Sequence, residues 1–164
     1  MPHGDAGAPA GPPRQPTPTA PAPAAAAAPM AAAGLAGVRI LVADDEDLLR
    51  GTMVRHLGRS GAVVAEARDG REALAALRGA RHDVLLLDAN MPHCNGAGVL
   101  ADLRRDPLPE RPLVVLLSGG ALCDADGVPF EQLGADLVVQ KPVRISVLAA
   151  TIAQAQAARE RRTP

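Results

Sequence analysis

Five short apolar segments, each rich in Val, Leu or Ala, recur along the chain after residue 37. They cover residues 38–43, 62–65, 84–87, 113–117 and 137–139. Their apolarity is close to continuous rather than alternating, which is typical of strands buried on both faces of a sheet. We therefore predict five β-strands at these positions.

The segments between the predicted strands have the periodicity of amphipathic helices. Leu49, Met53 and Leu57 recur at four-residue intervals, so they would line one face of a helix. Asp69 and Asn95 precede two further helical segments, where their side chains can accept hydrogen bonds from the first backbone N–H groups. Strand and helix thus alternate five times, which predicts an α/β fold with a (βα)5, doubly wound, five-stranded parallel sheet.

The fourth helix of this series is predicted to be short or irregular. Its segment, residues 119–134, contains Gly120, Gly127 and Pro129. An interior Pro costs a helix about 3 kcal/mol and a Gly about 1 kcal/mol. We expect a helix over residues 129–133 only, because proline is tolerated in the first turn.

Residues 1–37 differ in composition from the rest, because they hold nine of the 16 prolines and few large apolar side chains. Such a segment cannot bury enough apolar surface to offset the entropy lost on ordering, so we predict a disordered Pro/Ala-rich tail. We expect one domain at 38–158 and a short C-terminal tail at 159–164. We expect no attached output domain after the last helix.

Composition excludes several classes of function. The chain has no Trp or Tyr and a single Phe, and its formal net charge is −1. Without aromatic platforms or a strong positive field, nucleic acid is not an expected partner. No apolar run reaches membrane-spanning length, and two cysteines are too few for the disulfide framework of a secreted domain. These features favour a cytoplasmic protein that binds neither nucleic acid nor membranes.

Polar side chains follow four of the five predicted strands. Asp44 and Asp45 follow the first, Asp88 the third, Ser118 the fourth and Lys141 the fifth. The carboxyl ends of parallel strands share one edge of a sheet, so we expect these side chains to converge there. Closely packed carboxylates repel one another, and Mg²⁺, which prefers oxygen ligands, would relieve that repulsion.

The lysine and the hydroxyl beside the acidic cluster suit an anion. Lys141 is the one lysine among 17 basic residues, and the mobile point charge of an ammonium suits phosphate. A carboxylate can act as a nucleophile toward phosphoryl groups, and phosphoryl transfer requires mainly positioning and charge neutralisation. We therefore predict that one aspartate at this edge becomes phosphorylated with the help of a metal ion.

These residues and their order resemble the receiver domain of two-component response regulators, which has a flavodoxin-like fold. The matching motifs are Val-Ala-Asp-Asp-Glu at 42–46, Leu-Leu-Asp-Ala-Asn-Met-Pro at 86–92, Leu-Leu-Ser-Gly at 116–119, Gly-Ala-Asp at 134–136 and Lys-Pro at 141–142. Any one motif alone would be a weak signal. Together they cover about residues 38–155 in order, without a large insertion.

The resemblance implies a role for each acidic residue. Asp88 would be the phospho-acceptor. Mg²⁺ would be bound directly by Asp45, Asp88 and the backbone carbonyl of Asn90, and largely through water by Asp44. The chain would be a phospho-acceptor rather than an enzyme, although we expect phosphorylation from small donors and autodephosphorylation.

The resemblance also implies phosphate contacts, a cis peptide bond and partner proteins. Ser118 and Lys141 would contact the phosphoryl oxygens, and the peptide bond before Pro142 would be cis. The donor would be a phosphohistidine on a sensor histidine kinase or a phosphotransfer protein. The signal would pass to a separate target protein.

Two features depart from the pattern of the family. Val138 stands where the family usually has Tyr or Phe, whose inward movement accompanies phosphorylation. A valine cannot make that large change of rotamer, so we expect the signal to travel through backbone or loop shifts. The weak fourth helix belongs to the usual dimer face, so we expect a monomer or a weak dimer.

Two other functions compete with the phosphorylated receiver. A receiver fold could serve as a binding module that does not depend on phosphorylation. Alternatively, Asp88 could be the nucleophile of a phosphatase of the haloacid-dehalogenase kind. Those enzymes usually carry Asp-x-Asp, whereas Asn90 stands in place of the second acid.

Overall fold

The computed structural model describes residues 34–161, which form five strands and five helices. The strands are β1 (Arg39–Ala43), β2 (Val63–Ala67), β3 (Val84–Asp88), β4 (Leu113–Ser118) and β5 (Leu137–Gln140). The helices are α1 (Asp47–Arg59), α2 (Gly70–Gly79), α3 (Gly96–Arg105), α4 (Phe130–Leu133) and α5 (Ile145–Glu160). Strand and helix alternate throughout, as the hydrophobic pattern predicts.

All strand pairs are parallel, and the strand order is β2-β1-β3-β4-β5. One core cluster joins one face of the sheet to α2, α3 and α4, and the other joins the opposite face to α1 and α5. The doubly wound α/β prediction is therefore confirmed. The order of strands reverses between β1 and β3, so the crevice expected in such folds opens at their carboxyl ends.

The prediction that every strand is buried on both faces is correct for the middle of the sheet only. All residues of β3 and β4 are buried, and in β1 only Arg39 is partly exposed. The two outer strands, β2 and β5, are mostly exposed or half-buried. Each outer strand has a neighbouring strand on one side only, and apolar residues such as Val63 remain in contact with solvent.

Side-chain caps fix the starts of two helices at the residues predicted from the sequence. Asp69 accepts hydrogen bonds from the backbone N–H groups of Arg71 and Glu72 at 2.8 and 2.9 Å. Asn95 accepts one from Gly98 at 2.9 Å. Asp69 lies just after the end of β2, and Asn95 ends the loop that follows β3, so α2 and α3 both begin on the side of the sheet where the strands end.

The fourth helix is a single turn, which confirms the prediction that it is short. Pro129 is its N-cap, and Gly134 ends it in the left-handed region at φ 113°. The segment before it folds back on itself, because Cys123 pairs with Pro129 as an antiparallel bridge. We call residues 119–129 the β4–α4 segment.

A residue before position 38 contributes to the core. Leu35 is fully buried in the core beneath α1 and α5, and its carbonyl accepts a hydrogen bond from Val38 N–H at 3.0 Å. Leu35 thus packs into the core although it lies in the segment predicted as a tail, because a single leucine can anchor an otherwise polar or small-residue segment. The rest of the predicted tail, residues 1–33, lies outside the described residues.

Helix α5 continues to Glu160, and residues 162–164 lie outside the described residues. The domain boundary predicted at residue 158 therefore falls within the last turn of α5. Between Gly34 and Arg161, every helix is too short or too polar to traverse a lipid bilayer.

Candidate functional site

Three carboxylates meet at the carboxyl ends of β1 and β3. These strands are direct neighbours, with Ala43 opposite Leu87, so the residues that follow them lie side by side. Asp44, Asp45 and Asp88 each place a carboxylate oxygen within 4.8 Å of the other two. Asp44 is fully buried and Asp88 is buried, whereas Asp45 is exposed. The cluster therefore has a buried base and an open rim.

Lys141 reaches this cluster from the loop after β5. Its Nζ donates a hydrogen bond to Asp44 Oδ2 at 2.9 Å and lies 3.2 Å from Asp88 Oδ1. The peptide bond between Lys141 and Pro142 is cis, as the sequence resemblance implied. One ammonium thus bridges two of the three carboxylates, and two negative charges remain in excess.

Asp44 is held on all sides. Its Oδ1 accepts a hydrogen bond from Glu46 N–H at 2.9 Å, while its Oδ2 is occupied by Lys141. Its own backbone N–H donates to Ala67 O at 3.2 Å. Asp44 therefore shapes the turn between β1 and α1, and both of its carboxylate oxygens already have donors.

The turn after β3 is equally restricted. Asn90 N–H donates to Asp88 Oδ1 at 3.4 Å, and Ala89 N–H donates to Leu117 O on β4 at 2.8 Å. At Gly96 a Cβ atom would lie 2.9 Å from Ala89 Cα and 2.9 Å from Asp88 O. Only glycine fits there, so α3 begins in direct contact with the backbone of the phospho-acceptor candidate.

Burial and charge act in opposite directions on the ionisation of this site. Burial raises the pKa of the Asp88 carboxyl above its usual value, against the lowering effect of Lys141, and the nearby Asp44 raises it further. Burial works to lower the pKa of Lys141, but the hydrogen bond to Asp44 and the charge of Asp88 outweigh it, so this pKa is raised. Lys141 therefore stays charged, and a further cation would favour ionised Asp88.

The acidic cluster fits Mg²⁺ by its donor chemistry. Carboxylate and carbonyl oxygens are the ligands that this hard cation prefers, and it usually keeps several waters. The exposed rim at Asp45 leaves room for such waters, and the excess negative charge of the cluster requires a counter-charge. The predicted convergence of Asp44, Asp45, Asp88 and Lys141 is thus present in the structure.

Ser118 lies at the same edge, and its hydroxyl bonds within the loop that follows β4. It is 2% exposed, and its Oγ donates to Ala121 O at 2.6 Å. Gly120 N–H donates back to Ser118 Oγ at 3.3 Å. The hydroxyl therefore holds the start of the β4–α4 segment closed on itself.

Val138 packs on the side of the sheet covered by α2, α3 and α4. It pairs with Leu116 of β4 and is partly buried against that core cluster. Asp124 stabilises the neighbouring β4–α4 segment, because its Oδ1 accepts hydrogen bonds from Asp126 N–H at 3.0 Å and from Val128 N–H at 2.8 Å. The β4–β5 side of the site therefore combines a small side chain at Val138 with the β4–α4 segment, which is held by its own hydrogen bonds.

Comparison with known protein families matches residues 40–153 to the response regulator receiver domain. The chain belongs to this family. The match confirms the resemblance seen in the motifs at the strand ends, including the flavodoxin-like receiver fold. Receiver domains are phospho-acceptor domains of two-component signalling, and phosphorylation on Asp by histidine kinases with Mg²⁺ is a general feature of the family.

Individual relatives agree with this assignment. Transcriptional regulatory protein TcrA of Mycobacterium tuberculosis is 35% identical over 126 residues, which are 74% of this chain and 47% of TcrA. The receiver domain of the Francisella response regulator 1452 is similar with a TM-score of 0.64 and 26% identity, covering 76% of this chain and 99% of that domain. The chain spans about half the length of the curated relatives it matches.

A further solved relative carries a ligand. Response regulator TrrA of Thermotoga maritima, in complex with Mg(2+)-BeF, is similar with a TM-score of 0.61 and 26% identity, covering 71% of this chain and 97% of TrrA. The acidic cluster of the present receiver has the donor chemistry for the same metal.

Sequence reasoning missed one buried residue beside the site. Arg50 of α1 is 5% exposed, and its guanidinium reaches back to the turn that carries the aspartates. A signal for it existed, because Arg50 lies three residues before Met53 and so shares the buried face of α1. A charge on a buried helix face needs partners and is worth examining for that reason.

Proposed function

We propose that this chain is a single-domain response regulator that accepts a phosphoryl group on Asp88. The observation that carries the proposal is the position of Asp88, buried at the base of the acidic cluster and 3.2 Å from Lys141 Nζ. The donor is a phosphohistidine of a sensor histidine kinase or a phosphotransfer protein. Action without an attached output domain is part of this proposal, and the mass of the native protein in cells tests it.

Asp88 is the nucleophile of the transfer. Lys141 and Asn90 N–H both contact its Oδ1, which leaves Oδ2 to attack the phosphorus. The new O–P bond forms as the P–N bond of the phosphohistidine breaks, and the imidazole leaves with the electron pair of that bond. Such a transfer requires mainly that the reacting groups are positioned and that their negative charge is neutralised.

The groups around Asp88 supply this charge neutralisation. Asp45, Asp88 and the carbonyl of Asn90 would hold Mg²⁺, which would offset the charge of the carboxylates and of the phosphoryl oxygens. Asp44 acts largely through water, which agrees with the donors already present on both of its oxygens. Lys141 exchanges its contact with Asp88 for a phosphoryl oxygen.

We propose that the signal leaves through the β4–α4 segment rather than through an aromatic switch. Ser118 must rotate its hydroxyl from Ala121 O to reach a phosphoryl oxygen, and this rotation breaks a 2.6 Å hydrogen bond that holds the segment. Val138 has no aromatic ring that could fill the space left by the Ser118 hydroxyl. The released backbone around Ala121 then presents a different surface to a target protein.

A variant at Ser118 tests this route. Ser118→Ala keeps the acidic cluster and should still be phosphorylated, but it lacks the Ala121 hydrogen bond in both states. Amide hydrogen exchange of residues 119–122 should then be fast with or without phosphorylation, whereas in wild type it rises on phosphorylation. An unchanged response in Ser118→Ala would contradict the route.

An apolar groove beside the acidic cluster is the proposed docking surface for the phosphoryl donor. Its volume is about 440 Å³, and its lining combines apolar side chains of α1 and α5 with Lys141. Leu48 and Val147 lie on the same two helices but outside the lining of the groove, and they are 81% and 54% exposed. A partner that covers both the groove and these two side chains would place its histidine next to Asp88, and the burial of the apolar side chains would supply hydrophobic stabilisation.

Two donors separate docking from chemistry. Val147→Glu should slow phosphorylation by a phosphorylated kinase at least about tenfold, because a buried carboxylate without a partner opposes docking. Phosphorylation by acetyl phosphate should be unchanged, since this small donor needs no groove. Val63→Glu on the opposite edge strand, where the native side chain is 61% exposed, is the matched control. Equal slowing with both donors would contradict the docking surface.

Two further properties belong to the proposal. Turnover of the phosphoaspartate is expected to be fast, because Gly119 has no described atom within 4 Å of a Cβ position and leaves the site open to water. The single-turn α4 offers little of the helix surface on which a family-type dimer would pack, which supports a monomer or weak dimer. A cytoplasmic location, usual for the family, completes the proposal.

The direct test is phosphorylation of the purified protein with acetyl phosphate and Mg²⁺, read by intact mass. We expect a gain of one phosphoryl group in wild type and none in Asp88→Asn. If neither acetyl phosphate nor a phosphorylated kinase modifies the wild type, the chain is a binding module that does not depend on phosphorylation.

A further inference from the structure

Arg50 is a buried cation on the helix that follows the acidic turn. Its side chain is 6% exposed, although it lies on a helix face that is otherwise apolar. A buried charge is costly unless it is paired and hydrogen-bonded. The contacts of its guanidinium should therefore show what the residue does.

The guanidinium has three kinds of partner. Its Nη1 donates to the backbone carbonyl of Asp44 at 2.8 Å, and this hydrogen bond is fully buried. Its Nε donates to Glu66 of β2 at 3.2 Å, and its Nη2 pairs with Asp47. The side chains of Glu66 and Asp47 are 58% and 83% exposed, so these two pairs contribute little to stability.

The buried hydrogen bond fixes one flank of Asp45, and the backbone of Arg50 fixes the other. The guanidinium holds Asp44 O, while Arg50 N–H donates to Glu46 O at 2.9 Å. Asp45 lies between these two anchors and is itself exposed. Nothing in its own burial determines where its carboxylate points, so its direction depends on the turn that Arg50 holds.

We infer that Arg50 is a positioning residue that orients Asp45 for the metal ion. The inference rests on the proposed function, in which Asp45 and Asp88 bind Mg²⁺ directly. Groups that orient metal ligands from outside the coordination shell typically affect metal affinity by 10–100-fold. The expected loss of Mg²⁺ affinity in Arg50→Met is therefore about tenfold.

The sign of this effect separates positioning from simple charge. Arg50 is a cation near the metal site, so removing it would strengthen Mg²⁺ binding if only long-range electrostatics mattered. Positioning predicts the opposite, a weaker affinity. Arg50→Lys keeps the charge but not the fork geometry that reaches Asp44 O and Glu66 together, so we expect an intermediate affinity.

Isothermal titration calorimetry with Mg²⁺ is the appropriate measurement, since the chain has no Trp or Tyr to report binding by fluorescence. Glu66→Gln removes an exposed partner of Arg50 and should leave the dissociation constant within about twofold. Arg39→Met, which breaks the Arg39–Asp83 pair at the opposite edge of the sheet, controls for general destabilisation. Thermal unfolding of every variant is recorded alongside.

A second readout uses the phosphorylation rate as a function of Mg²⁺ concentration. Arg50→Met should need about tenfold more Mg²⁺ for half-maximal rate, while the rate at saturating Mg²⁺ stays close to wild type. If Arg50 had a merely structural role, the Mg²⁺ affinity and the rate at saturating Mg²⁺ would either both fall or both stay unchanged. If Arg50→Met does not fold, the same comparison is made with Arg50→Lys, for which an affinity between one and ten times weaker than wild type is expected.

The outcomes distinguish the two claims. Wild type that fails to bind Mg²⁺ overturns the proposed function. Wild type that binds Mg²⁺, together with an Arg50→Met or Arg50→Lys variant that binds it as tightly or more tightly, overturns the positioning role alone. A loss shared by Arg39→Met would also overturn it.

Discussion

At the ends of β1 and β3, both carboxylate oxygens of Asp44 have donors, and Lys141 spans from Asp44 to Asp88. Ser118 ends the neighbouring strand β4 and follows Leu117, which pairs with Asp88. Ser118 donates to Ala121 of its own loop. The polar groups on the acidic side thus contact Asp88, the proposed phospho-acceptor, whereas the serine hydroxyl bonds within its own loop.

Glycines make the same contrast in terms of space. On the acidic side, a Cβ at Gly70 would lie 2.3 Å from Cys94 O, and one at Gly96 would meet three atoms at 2.9 Å. On the serine side, Gly119 and Gly120 have no described atom within 4 Å of a Cβ position. The comparison teaches that the backbone on the acidic side is tightly packed, whereas the start of the β4–α4 segment has open space at its two glycines.

The largest expected effect comes from adding one methyl group on each side. Gly96→Ala should lower the free energy of unfolding by about 3 kcal/mol, because the backbone of Ala89 and Asp88 cannot yield to the new Cβ. Gly120→Ala should change it by less than about 1 kcal/mol, with a gain if the native backbone suits alanine. Urea unfolding followed by circular dichroism measures both.

Equal losses in these two alanine variants would remove the contrast between a packed side and an open side. The same variants also report on function. Gly96→Ala should reduce phosphorylation by acetyl phosphate, whereas Gly120→Ala should leave it unchanged.

Lys141→Met should have the next largest effect. It leaves the fully buried Asp44 carboxylate without its cation, which should cost about 2 kcal/mol of unfolding free energy in the absence of Mg²⁺. Added Mg²⁺ should restore part of this loss by binding the same carboxylates. Arg81→Met is a matched control, because the Arg81 side chain is 54% exposed and its pair with Glu110 contributes little.

A loss of stability in Lys141→Met that is no larger than in Arg81→Met would contradict the view that the acidic side depends on its ammonium. Denaturant titrations with and without Mg²⁺ provide the comparison.

Asp88→Asn should have a smaller effect with a defined pH dependence. The pKa of Asp88 is raised in the folded state, chiefly by burial, so the native state binds this proton more tightly than the unfolded chain. Stability of the wild type therefore falls as pH rises from the ordinary value of 3.8 through the raised pKa, and the penalty persists above it. Without Mg²⁺, Asp88→Asn should be more stable than wild type at pH 7.

The stability gain of Asp88→Asn should shrink as pH falls through the raised pKa and should be lost below 3.8, where the wild-type carboxyl is protonated in both states. Mg²⁺ at pH 7 should also shrink it, because the ion stabilises the wild type. Thermal unfolding of both proteins across pH measures the difference. A gain that does not vary with pH would contradict a penalty from the ionised Asp88.

Local rules predicted most of what positions the site. Asp69 and Asn95 were identified as caps because capping depends on a few neighbouring backbone groups. The carboxylates were identified because they follow apolar strands directly. The exposed β2 was not foreseen, since only the strand order shows that it lies at an edge.

Features that depend on long-range contacts were missed. Leu35 belongs to the core because the chain before β1 folds under α1 and α5, which no local periodicity indicates. The role of Arg50 depends on the carbonyl of Asp44 and on Glu66 of the neighbouring strand. The direction of the Ser118 hydroxyl depends on the fold of the β4–α4 segment, which has no regular pattern.

The contrast between the two sides is tested most directly by amide hydrogen exchange of wild type and Asp88→Asn with Mg²⁺ and beryllofluoride, which mimics a phosphoryl group. We predict that in wild type exchange slows at residues 44–46 and 88–90 and rises at 119–122, and that Asp88→Asn shows neither change. Identical responses in both proteins, or a response confined to β5 and α5 around Val138, would contradict the account.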